Sequence, residues 1–225
     1  MHPSSSAGSG YVTDLLAMLA YGELVAFDRM ATDARLAPDL RRRAMLSEMA
    51  AIEINNYCRL AERLQQLGVD PEAAMRPFVV PLADYHEQTD PSDWLEALTK
   101  AYVGDGIADD FTREVAAVLE SPDRELVLDI LHDSRHADFA AAEIRAAIDA
   151  NPQVANRLSM WARRLTGEAI SQALRVAAEH PSLAALVAAA SADDDSGDDG
   201  TSMPAVFRRL TNQHTERMTA VGLNN

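Results

Sequence analysis

The sequence predicts an all-α protein: an up-and-down four-helix bundle with one long crossover and additional C-terminal helices. Three observations predict it. The 225 residues are rich in Ala and Leu and include only 5% aromatic residues, which favours helices over sheets. Turn-forming segments separate stretches that are long enough for helices. The connection over residues 67–92 is long enough to run the length of a bundle, so the two helices that it joins need not be antiparallel neighbours.

Pro-, Gly- and Asp-containing breaks divide the chain into six predicted helices, and an Asp or Ser just before several of them suits a helix N-cap. The predicted helices span residues 11–34, 39–67, 92–119, 122–149, 153–190 and 203–221. We expect one bundle domain over residues 11–190, a disordered N-terminal tail (1–10), an acidic flexible loop (191–202) and a C-terminal helix packed on the bundle (203–225).

Composition limits the partners of the chain. The formal net charge of −15 repels polyanions and argues against tight non-specific binding to nucleic acid. A local basic patch could still form at Arg41–Arg43, although such clusters are more often solvated helix faces. No apolar run reaches the ~20 residues that span a bilayer, so we expect no membrane segment. Cys58 is the only cysteine, which predicts a reducing, cytoplasmic setting.

One acidic residue of each of four predicted helices falls on the apolar side of its own helix. Because a helix turns about 100° per residue, Glu23 lies within roughly 60° of the apolar stripe of the first helix. Glu53, Asp105 and Asp133 lie in the same way on the second, third and fourth helices. These four carboxylates are therefore expected to face the core.

Buried carboxylates require a counter-charge, because burial disfavours their charged form. Lys and Arg are scarce on these apolar stripes, so a shared metal is the simplest partner. Asp133 and His136 lie three residues apart on one helix face, where the carboxylate can bridge two metals and the imidazole can bind one. Bundles that hold two iron or two manganese ions use this pattern on two helices. Glu53 and Asn56 match it only halfway, because Asn stands where His is expected.

Alternatives remain open for these residues. Asp133 and His136 could form a polar rim on a less buried helix, and Glu53 and Asn56 could be a buried hydrogen-bonded pair.

Further candidates lie near the predicted site. Asp109 lies one turn after Asp105 and is the alternative ligand on the third helix. Tyr57 could hydrogen-bond the carboxylate of the second helix. His132 could be a spare ligand and His214 could cap the site from outside, although a partly exposed His132 and a core His214 are the simpler interpretations.

With YGELVAF in the first helix, EINNYCRL in the second, AYVGDGIADDF in the third and DSRHADFA in the fourth, the chain resembles the ferritin-like superfamily. Over residues 11–190 it is most similar to proteins related to the tRNA hydroxylases that act on the isopentenylated, methylthiolated adenosine beside the anticodon. The resemblance implies a non-haem di-iron centre that activates O₂ and inserts an oxygen atom into the prenyl group. It implies metal ligands at Glu23, Glu53, Asp105, Asp133 and His136, with Asn56 in a position that His usually fills.

Two hypotheses of function follow. The first is an O₂-dependent hydroxylase with two irons per chain, or manganese instead, acting on tRNA or another prenylated or apolar small substrate. The metal would do the chemistry, so no general base is assigned and the electron donor is not identified. The second is a ferritin-like binding or scaffold protein with a degenerate, partly occupied or empty metal site, which Asn56 favours. Bundles of this size often pair through an apolar helix face, which suggests a homodimer.

Overall fold

Helices make up the regular structure of the described part of the chain. The computed structural model describes residues 5–131, 134–192 and 205–224. The helices are α1 (Ser5–Asp33), α2 (Leu40–Gln66), α3 (Pro71–Met75), α4 (Val79–Gln88), α5 (Trp94–Ala116), α6 (Asp123–Asp129), α7 (Ser134–Ala150), α8 (Gln153–Glu179), α9 (Pro181–Ser191) and α10 (Ala205–Ala220). Short 3₁₀ turns occupy Ala34–Leu36 and Arg76–Phe78.

Helices α1, α2, α5 and α7 form the four-helix bundle. Each of them contributes to one buried apolar cluster, through Met30, Met49, Leu98 and Ala140 respectively. The chain crosses from α2 to α5 through α3 and α4, and α8, α9 and α10 pack outside the bundle. The prediction of an all-α bundle with one long crossover and extra C-terminal helices is confirmed.

Aspartate side chains cap the helices that follow the main turns. Asp39 accepts a hydrogen bond from the backbone N–H of Arg42 at 2.9 Å, where α2 begins. Asp93 accepts one from the backbone N–H of Glu96 at 2.9 Å at the start of α5. Each cap satisfies a backbone donor that the first turn of a helix leaves without an intrahelical partner.

In the N-terminal half of the chain, two predicted segments differ from the structure. Helix α1 begins at Ser5, so residues 5–10, which the sequence placed in a disordered tail, are helical. Small residues give this segment no apolar period, so its sequence contains no helix signal. The predicted connection 67–92 contains α3 and α4, because Asp70 caps α3 and Pro71 is tolerated in a first helical turn.

Two predicted helices are each divided in the structure. The segment 153–190 ends as α8 at Glu179 and restarts as α9 at Pro181, because proline lacks the N–H that would continue the helix. The segment 122–149 contains α6 and α7. No Pro or Gly marks this second break, so the helical period runs through it in the sequence.

Only part of the predicted C-terminal region lies within the described residues. Helix α10 packs on α5 and α9. The predicted acidic loop lies largely outside the described residues.

One described segment, Gly10–Leu36, is long and apolar enough to cross a membrane, a test that the core helix of a globular protein also passes. This segment packs along α2 and carries the buried Glu23, and one such helix is weak evidence for a membrane span.

Candidate metal centre

A polar layer lies between two apolar clusters of the bundle. One cluster contains Met30, Met49, Leu98 and Ala140, and the other contains Leu16, Leu60, Val115 and Ile130. Along each of the four chain segments, the candidate ligands fall between the two cluster members. They are Glu23 on α1, Glu53 and Asn56 on α2, Asp105 on α5 and His136 on α7. Helices that cross the same two clusters therefore carry these side chains at a similar depth.

Four residues of the polar layer are shielded from solvent. The exposed fractions are 1% for Glu53, 5% for Asn56, 7% for His136 and 9% for Glu23, and Asp105 is half-buried. Ionisable groups are almost never this deeply buried without a partner. The layer therefore concentrates acidic and imidazole groups where their charge must be compensated.

Asn56 connects three segments of the layer. Its Nδ2 donates to Oε2 of Glu23 on α1 at 3.3 Å and to the carbonyl oxygen of Ile130, just before α7, at 3.0 Å. Along α2, Met49 belongs to the same cluster as Ala140 of α7. Glu53 lies between Met49 and Asn56 along α2, on the same helix face as Asn56.

Tyr85, on the crossover helix α4, lies beside Asp105. Its hydroxyl rests against α5, where a Cβ added to Gly104 would lie 3.4 Å from Oη. Burial raises the pKa of Tyr85, and the negative charge of Asp105 raises it further, so the phenol is neutral at ordinary pH. The sequence analysis missed Tyr85, because it took residues 67–92 as a connection. The spacing of Leu82 and Tyr85 on one helix face is the signal that could have found it.

The other candidates of the sequence analysis have different surroundings. Asp109 forms an ion pair with Arg113, Oδ2 to Nη2, at 3.6 Å. Tyr57 is half-buried and packs at the edge of the apolar cluster that contains Leu60. His132 and Asp133 lie outside the described residues.

His214 belongs to a contact outside the bundle. It is 1% exposed, and its Nε2 lies 3.1 Å from the hydroxyl of Thr166 on α8. Burial lowers the pKa of His214, and the nearby Arg217 lowers it further. Arg217 pairs with Asp110 of α5, which lies about 140° around the helix from Asp105. His214 therefore packs on a different face of α5 from the polar layer.

Lys100 lies in a second polar group, between α1, α4 and α5. It is the only lysine of the sequence and is 7% exposed. Its Nζ donates to the carbonyl oxygen of Thr89 at 2.7 Å and lies 5.7 Å from the ring centroid of Tyr85. Burial lowers the pKa of Lys100 to about 8, although the carboxylate of Asp33 opposes this shift.

Burial also shifts the pKa values of Asp33 and His86, two neighbours of Lys100. Burial raises the pKa of Asp33 to about 6, against the opposing charge of Lys100. Burial lowers the pKa of His86 to about 3, and the positive charges of Lys100 and Arg29 lower it further. His86 is therefore neutral in the folded protein at ordinary pH. We refer to Arg29, Asp33, His86, Asp90 and Lys100 as the Lys100 group.

The chemistry of the polar layer suits a metal ion. Glu23, Glu53 and His136 offer carboxylate and imidazole donors, which non-haem iron binds in proteins. Within residues 5–131, 134–192 and 205–224, no three His, Cys, Asp or Glu side chains come close enough together to form a metal-binding group. Asp133, the further ligand that the sequence predicts, lies outside these ranges. The donor types present fit an iron ion, and the ligand set itself stays a prediction.

Comparison with known proteins identifies the family. A family model described as a ferritin-like domain of actinomycetes matches residues 8–190 of the sequence. The chain belongs to this ferritin-like family. A solved structure from Synechococcus, described as a protein with aldehyde deformylating oxidase activity, has a TM-score of 0.65 and 19% sequence identity, and the alignment covers 100% of this chain and 95% of that one. No protein of curated function matches the chain.

The family assignment confirms the ferritin-like part of the resemblance stated above. The Synechococcus structure shares the helical fold, and at 19% identity the likeness concerns the fold alone. The narrower similarity to tRNA hydroxylases is not among these findings. The family match therefore shows the ferritin-like fold, and it names no substrate.

Proposed function

We propose that this chain is a non-haem iron oxidoreductase that uses O₂, together with two electrons from an external reductant and two protons, to hydroxylate an apolar group and release water. The observation that carries the proposal is the polar layer: carboxylates, an amide and an imidazole on four bundle segments, enclosed between two apolar clusters. A bound iron supplies the activation of O₂, which side chains alone do not provide. The aldehyde deformylating oxidase activity described for the Synechococcus protein supports oxidative chemistry on this fold.

The residues of this chain would divide the work as follows. Glu53 and His136 would bind the metal, and Asn56 would hold the carboxylate of Glu23 in position. The apolar clusters on either side exclude water, which strengthens each electrostatic interaction in the layer. The neutral phenol of Tyr85, on the crossover helix α4, would cover Asp105 on that side of the bundle.

The prenyl group of a modified tRNA adenosine is the finer substrate proposal. Arg41 and Arg43 are exposed at the start of α2, where Leu40 is 82% exposed, and could contact RNA phosphates. The neighbouring Arg42 is instead engaged by Glu143 at 2.5 Å. Because the net charge of −15 opposes RNA binding, a small prenylated or apolar molecule is the competing substrate. A reducing cytoplasm, consistent with the single exposed Cys58, is the proposed location.

Metal loading and oxygen reactivity test the proposed function. The full chain is loaded anaerobically with Fe(II), desalted, analysed for iron and then exposed to O₂ while its absorbance is followed. We expect bound iron and an absorbance change. Glu53→Gln should lose most of the iron, whereas Glu48→Gln, an exposed position on the same helix, should retain it. Equal iron binding by both variants, or none in the parent protein, would refute the proposal.

A metal-free scaffold is the second candidate function. Asn56 favours it, because its amide already satisfies part of the hydrogen-bonding capacity of Glu23. In that case the parent protein and both variants would contain no iron after loading, and iron would not raise the melting temperature. Bound iron stabilises the folded state in proportion to the logarithm of its concentration over Kd, so the thermal shift separates the two candidates.

A further inference from the structure

Asn56 occupies the position at which two-metal bundles place a second histidine. It follows Glu53 by three residues on α2, so both side chains share one helix face. Its Nδ2 lies 3.3 Å from Oε2 of Glu23 and 3.0 Å from the carbonyl oxygen of Ile130. At 5% exposure, the amide has little access to water.

The chemistry of its neighbours fixes which way the Asn56 amide faces. The backbone carbonyl of Ile130 can only accept hydrogen bonds, and Oε2 of Glu23 accepts the other hydrogen bond of Nδ2. Turning the amide over would bring Oδ1 against the Ile130 oxygen, two acceptors in contact in a buried site. The two hydrogens on Nδ2 therefore point to these two oxygens.

An amide that faces the layer with its N–H groups is not a metal ligand. Its nitrogen has no lone pair to donate, and the partial positive charge on its hydrogens repels a cation. The N–H group of Asn56 therefore lies against Oε2 of Glu23, where a second metal would otherwise bind. We propose that the centre holds one metal ion per chain, and that the Asn56 amide excludes the second. This inference rests on the proposed function, because it concerns how many ions the same site binds.

Iron stoichiometry and magnetism test the inference. After anaerobic loading and oxidation, the parent chain should contain one iron per chain and give the electron paramagnetic resonance signal of an isolated high-spin ferric ion. A coupled ferric pair is silent, so two irons without that signal would overturn the single-ion proposal and leave the proposed function intact. No iron at all would instead overturn the proposed function.

Substitution at residue 56 tests whether Asn56 is the cause. Asn56→His should raise the iron content toward two per chain, whereas His at the exposed neighbouring position, Asn55→His, should leave it at one. If Asn56→His does not fold, the iron content and the ferric signal of the parent chain still test the single-ion proposal. A single iron in folded Asn56→His would show that Asn56 does not exclude the second ion.

Discussion

The buried lysine of α5 gives a prediction whose magnitude follows from the structure. A fall of the Lys100 pKa from 10.5 to about 8 corresponds to about 3 kcal/mol, at ~1.4 kcal/mol per pH unit. Below pH 8, Lys100 is protonated in both the folded and the unfolded chain. Between pH 8 and 10.5 only the unfolded chain binds the proton, so the free energy of unfolding contributed by Lys100 rises with pH over this window.

The Lys100→Met variant should lack that rise. Urea unfolding of the parent and variant at a series of pH values from 7 to 10 gives the difference between their free energies of unfolding, from which shared contributions such as tyrosine ionisation cancel. We expect the parent to gain about 2–3 kcal/mol relative to the variant across this range. The variant also loses the hydrogen bond to Thr89, so the slope with pH is the informative quantity. Arg41→Met, which removes an exposed cation, should keep the parental slope.

A direct titration checks the same reasoning, because the chain has only one lysine. In protein labelled at lysine with ¹³C, a single side-chain resonance should follow a pKa of about 8 in the folded state. A midpoint above pH 10, or a difference between parent and Lys100→Met that stays flat with pH, would refute the burial argument. In that case water would reach Nζ, or the Lys100 group would compensate its charge more fully than the structure indicates.

Two further predictions concern residues outside the polar layer. The pKa of His86 is about 3, so the stability that it contributes should fall as the pH drops from 6.5 toward 3, and thermal melts of His86→Asn should be less sensitive to acid over this range. An unchanged acid sensitivity would argue against its burial. Gly106→Ala should lower the melting temperature, because the new Cβ would collide with Arg217 and disturb its ion pair with Asp110. Gly167→Ala, which meets nothing within 4 Å on α8, should raise stability by up to about 1 kcal/mol, and a parallel response of both glycines would contradict the packing argument.

The sequence was informative about helices with a continuous apolar stripe and a clear cap. Asp39 and Asp93 mark the starts of α2 and α5, and the apolar stripes of α1 and α2 predict the inward direction of Glu23 and Glu53. The break between α6 and α7 left no such trace, because it contains no helix-breaking residue. The sequence analysis also missed Tyr85, since its burial depends on how the crossover helix docks against α5.

The role of Asn56 shows why a ligand set is harder to predict than a helix face. The angular position of a residue on its own helix predicts that Asn56 points inward, and the structure has it 5% exposed. It does not predict which atoms lie opposite, because those come from α1 and from the segment before α7, far away in the sequence. Two acceptors across from the amide make it a donor, whereas a cation there would require its oxygen. The same inward residue can thus hold a metal or exclude one, and the partners across the bundle decide which.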